Sequence, residues 1–139
     1  MAERRKPRVS PAGSLADRHV PVLDPGALDL LRAELGEEFG DFLQRFGAGL
    51  PHRLRALEVA FARGDVRLIE ALAHGLRGGS AWYGALLLAR TCAGLERQAH
   101  SRKLEHARWL FGPLANEVSR VRAEIDRLFP SAPNLATSG

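Results

Sequence analysis

From Leu23 to Phe129 the apolar residues of this chain recur three and four positions apart, with no sustained two-residue alternation. That spacing belongs to helices that bury one face, and the missing alternation argues against half-buried strands. A length of 139 residues is enough for one core and too short for two ordinary domains. The expected architecture is all-α: an antiparallel four-helix bundle with a short additional N-terminal helix.

Ala27, Leu28, Leu30, Leu31 and Leu35 mark the short leading helix. Asp24 is placed to cap it, Pro25 suits its first turn and Gly36 its end. Phe39, Leu43, Phe46, Leu50, Leu54, Leu57 and Phe61 give the face of a long second helix, which Pro51 should kink without breaking. Gly64-Asp65 then closes that helix and caps a third carrying Val66, Ile69, Leu72, Ala73 and Leu76. A fourth helix is expected from near Tyr83-Gly84, a polar connection from Gln98 to Lys103, and a last long helix from Leu104 to Leu128 interrupted at Gly112-Pro113. The bundle is expected over residues 23–129, between disordered tails at 1–22 and 130–139.

The formal net charge is +4, and three of those charges arise where Arg4, Arg5, Lys6, Arg8 and Arg18 face only Glu3 and Asp17. The rest of the chain mixes its signs along every helix, which is the pattern of solvated faces and argues against nucleic-acid binding. No apolar run approaches the roughly 18 residues a membrane span needs, and the basic start lacks the apolar segment of a secretory signal. A cytoplasmic, monomeric protein is expected. The single Cys92 falls in an apolar helical stretch and reads as a small core hydrophobe.

A helical wheel of the third segment singles out one histidine. At about 100° per residue, Ile69, Leu72 and Leu76 lie on the side away from His74, which therefore faces water. Arg67, Glu70, Ala71, Arg77, Gly78 and Ala81 share the broad face of His74, with Gly78 one turn along, so little bulk surrounds the ring. Glu70, four residues before His74, is placed to hydrogen-bond it. Gly75, Gly78 and Gly79 crowd one helical stretch although each costs about 0.8–1.0 kcal/mol against alanine, a cost that open access to His74 would explain. His19, His52, His100 and His106 have no cysteine or carboxylate at ligand spacing, so no metal site is expected.

The run Ala73-His74-Gly75-Leu76-Arg77-Gly78-Gly79-Ser80-Ala81-Trp82-Tyr83-Gly84-Ala85 resembles the signature of histidine-containing phosphotransfer (HPt) domains. The resemblance extends from about Leu23 to Phe129, taking in the leading Leu-Asp, the phenylalanine-rich helix, the Gly-Asp before the histidine helix and Cys92-Ala-Gly-Leu-Glu96 after it. It implies that His74 accepts a phosphoryl group, that Arg77 neutralises phosphate charge and that Gly78 keeps the approach open. Arg67, Glu70, Ala71 and Ala81 would meet the partner. Arginine at 77, where lysine is usual, and Gly75 are the departures from the family pattern. The partners implied are a response-regulator receiver domain and a hybrid histidine kinase, with no intrinsic cofactor and Mg2+ supplied by the receiver. No nucleotide-binding loop accompanies the histidine, so an ATP-dependent autokinase is not expected. The competing reading is a noncatalytic helical adaptor that binds a signalling partner.

Overall fold

The computed structural model describes residues 20–130, so nearly all of both expected tails lies outside the described residues. Helix α1 (Pro25–Leu35) leads through a short 3-10 turn (Gly36–Glu38) into α2 (Phe39–Arg63), followed by α3 (Val66–Trp82), α4 (Leu86–His100) and α5 (Leu104–Leu128). No strand occurs among the described residues. The helices begin where the sequence supplies caps: the Asp24 side chain accepts from the Ala27 N–H at 3.0 Å, and Asp65 accepts from the Leu68 N–H at 3.1 Å. Gly64, at φ 65°, ends α2 in the left-handed conformation that glycine adopts without steric cost.

Four helices close a ring in which α2 packs on α3, α3 on α4, α4 on α5 and α5 back on α2. Short turns join successive helices, which therefore run antiparallel. The fully buried positions repeat at seven residues: Leu43, Leu50 and Leu57 in α2, Ile69 and Leu76 in α3, Leu88 and Leu95 in α4, Leu114 and Val121 in α5. That repeat is the period of shallow, left-handed helix packing. Each such side chain removed from water contributes about 1.5–3 kcal/mol. Cys92 lies in this core with no exposure, and burial pushes its thiol up to about 12. No helix among the described residues is long and apolar enough to cross a membrane.

The structure redraws three boundaries. The connection expected over residues 98–103 is shorter, residues 101–103: α4 runs through His100 because Ala99 extends the buried stripe of Cys92 and Leu95. Only a tight turn follows, in which Arg102 takes φ 60°. The third helix runs to Trp82 and the fourth begins at Leu86, just after the expected Tyr83-Gly84, since Tyr83 is held in the core against the ring of Phe46, with centroids 4.5 Å apart. Helix α5 passes through Gly112-Pro113 without a break, as a proline inside a helix can when the flanking turns are held by packing.

The α3–α4 turn also receives the start of the bundle. The Asp24 N–H donates to the Gly84 carbonyl at 2.8 Å, so α1 is tied to the end of the helix that carries His74.

Candidate functional site

His74 sits mid-way along α3, its side chain 65% exposed, because Ile69, Ala73 and Leu76 take the buried positions of the same helix. Gly78 is exposed, and a β-carbon added there would meet nothing within 4 Å. The stretch beside the ring is thus open on the side of Gly78.

His74 is not paired as expected. Glu70 turns instead to His100 on α4, with Oε2 2.8 Å from Nδ1, while His74 Nδ1 lies 2.8 Å from Glu96 Oε2. Tight packing of α3 on α4 brings each carboxylate within reach of the facing helix, so the cross-helix partner displaces the one four residues away. Glu96 was not singled out as a site residue from sequence because its contact spans 22 residues. The available signal was its place four positions after Cys92, at the border of the buried stripe of α4.

Arg77 completes the cluster. Its Nε donates to Glu96 Oε1 at 2.7 Å, and its Nη2 lies 3.1 Å from His74 Nδ1. Both nitrogens of that last contact cannot be proton-bearing and bonded to each other. The nearer carboxylate decides the assignment: an ionised carboxylate only accepts, so Nδ1 carries the proton and donates to Glu96. In the neutral ring the lone pair then belongs to Nε2. The Arg77 hydrogen bond, reinforced by the contact with His74, holds the Glu96 carboxyl below the usual carboxylate range against the opposing effect of burial. Because the folded pKa is depressed, this contribution to stability is complete above the ordinary carboxylate pKa and is lost as pH falls through the lowered value.

Of the other residues expected at the partner face, Arg67, Glu70 and Ala71 line an open cleft of about 600 Å3 together with His74, Glu96, His100 and Arg102. Ala81 is exposed further along α3. No group of three or more His, Cys, Asp or Glu residues is disposed to hold a metal ion among the described residues.

Residues 41–128 match the family model of the Hpt domain. The chain belongs to that family. A crystal structure of histidine-containing phosphotransfer protein B (HptB) from Pseudomonas aeruginosa PAO1 is similar at a TM-score of 0.75 and 33% identity, over 77% of this chain and 93% of that one. No curated protein sequence matches. The Hpt fold expected from sequence is therefore the fold observed, and the chain is a histidine phosphotransfer protein of phosphorelay type.

The hydrogen bond to Glu96 supports a first prediction. Charge-assisted hydrogen bonds contribute about 1.5–3 kcal/mol, so Glu96→Ala is expected to slow phosphorylation of the histidine by roughly 10- to 100-fold. Glu96→Gln keeps an acceptor for Nδ1–H and should fall between the two. Rates of phosphoramidate labelling, followed by phosphohistidine signal, measure this; equal rates for all three proteins would remove the role of Glu96.

Proposed function

We propose that His74 is the phosphoryl carrier of this protein and exchanges the group with the aspartate of a response-regulator receiver domain. The observation that carries this reading is the pairing of Nδ1 with Glu96 on a ring that is 65% exposed: one nitrogen is occupied, and the other is a nucleophile facing solvent.

In the forward step the Nε2 lone pair attacks the phosphorus of the receiver's aspartyl phosphate in line. The P–O bond to the aspartate breaks, its electron pair leaves on the carboxylate, and a P–N bond forms. The ring keeps its Nδ1 proton and becomes cationic, a charge that Glu96 offsets. Reversal returns the electron pair to Nε2. Arg77 faces the transferring group with a fixed positive charge, and Gly78 leaves room for the receiver surface. Arginine presents a planar fork where lysine offers a point charge, and here one limb of that fork is used to hold Glu96. On this reading Mg2+ resides in the acidic pocket of the receiver, a hybrid histidine kinase is the upstream source, and the exchange takes place in the cytoplasm.

Phosphoramidate supplies phosphoryl groups without a cognate kinase, so it tests the assignment directly. The wild-type protein is expected to gain an acid-labile label that maps to His74 under non-acidic conditions and discharges to a receiver domain; His74→Gln is expected to gain none there. Label spread evenly over the histidines, with receiver binding that survives His74→Gln, would identify an adaptor instead.

A further inference from the structure

Gly75, the neighbour of His74, has an occupant above it. Arg53 reaches across from α2, and its Nη1 lies 3.8 Å from the point a β-carbon at position 75 would take. A methyl group there would make an ordinary contact, whereas a longer side chain would fill the path of the guanidinium. Arg53 is exposed and makes no hydrogen bond or ion pair among the described residues. Its charge nevertheless acts on the buried Cys92 thiol together with those of Arg77 and Glu96, so it shares their electrostatic neighbourhood. At about 100° per residue, positions 75 and 77 flank His74 on opposite sides of α3.

The charges of the site explain why a second cation matters. Arg77 and Glu96 cancel each other before phosphorylation. A phosphoryl group brings nearly two negative charges at neutral pH, and the ring, retaining its Nδ1 proton, gains one positive charge. The phosphorylated site is then left with about one uncompensated negative charge unless another cation approaches.

We propose that Arg53, passing over Gly75, is a second phosphate-binding residue that holds the phosphoryl group of His74 from the flank opposite Arg77. The proposal rests on the assignment of His74 as the carrier. It gives glycine at 75 a purpose separate from access for the partner: the small residue opens a channel between α2 and the phosphoryl group.

The test needs no partner protein. The full chain is phosphorylated with phosphoramidate, and the second ionisation of the phosphoryl group is titrated by 31P NMR in wild type, Arg53→Gln, Arg53→Lys and Gly75→Leu. Loss of a nearby cation should raise that pKa by about 0.5 units at low ionic strength, and the difference should shrink in high salt. Arg53→Gln and Gly75→Leu should share the rise, and Arg53→Lys should restore most of it, which a merely structural role for Arg53 would not produce. Circular dichroism on the same samples should show unchanged helix content, since both positions are exposed. A wild-type titration matched by Arg53→Gln, or a rise that lysine fails to reverse, overturns the proposal alone. Absence of label at His74 in the wild type overturns it together with the assignment of the carrier.

Discussion

Gly78→Leu is expected to reduce phosphoryl exchange with a receiver domain by at least ~100-fold, the order of loss that follows when reacting atoms are held even 1 Å out of place. Nε2 must come within bonding distance of phosphorus in a pocket on another protein, so the surface around His74 has to meet that protein closely. Gly78 lies one turn from His74 with open space where a side chain would stand. Leucine there projects into the gap the receiver must close. The same substitution should leave the bundle intact, because the position is exposed, the added β-carbon meets nothing within 4 Å, and leucine is the better helix former by roughly 0.8 kcal/mol. Thermal melting should stay level or rise slightly. Phosphoramidate, being small, should still label His74. Stopped-flow or gel-based transfer assays, beside a melting curve, check both halves; transfer at the wild-type rate would mean that the partner approaches from elsewhere.

The largest loss of stability is expected at Gly84→Ala. Gly84 has φ 78°, and a β-carbon there would stand 2.9 Å from the Ala27 Cβ and 3.1 Å from the Asp24 nitrogen. Two costs add: about 1–2 kcal/mol for an L-residue in the left-handed region, and about 1–3 kcal/mol for forcing atoms into a filled space. Together they predict a loss of about 2–5 kcal/mol. In a domain of this size each kilocalorie corresponds to roughly 4 °C, so melting should fall by about 8–20 °C. Gly64→Ala is the control. At φ 65° and ψ 26° it is left-handed, and the added carbon would meet only Leu104 Cδ2 at 3.8 Å, an ordinary contact, so it carries only the first cost. Denaturant melts of the two variants separate backbone strain from crowding, and equal losses would show that the contact with α1 is easily yielded.

The two halves of this molecule's logic differ in how far sequence reveals them. The helices were legible because burial imposes a local period: residues such as Leu43, Leu50 and Leu57 lie on one α-helical face whatever that face packs against. His74 was legible for the complementary reason, since a histidine opposite Leu72 and Leu76 must face out. Pairings across helices carry no such local mark. Glu70 was within helical reach of His74, yet α4 supplies His100 for Glu70 and Glu96 for His74, because the register of α3 against α4 is fixed by the core beneath them. The end of α4 was misread for a related reason. Gln98, His100 and Lys103 look like a loop by polarity, whereas Ala99 alone keeps the last turn buried. Arg53 was silent in the sequence because nothing local links an exposed arginine on α2 to a glycine on α3.

The tie between Asp24 and Gly84 bears on where this domain may be trimmed. The region recognised by the family model starts at residue 41, but Leu23, Leu28 and Leu31 are each at most 8% exposed, and the Asp24 N–H satisfies the Gly84 carbonyl. A truncation at the family boundary would strip those apolar side chains from the bundle and uncover Gly84, which Asp24 and Ala27 cover just past the end of the histidine helix. The stretch that marks common ancestry is shorter than the stretch that must be expressed to keep the fold intact, and the difference is the eighteen residues from Leu23 to Gly40.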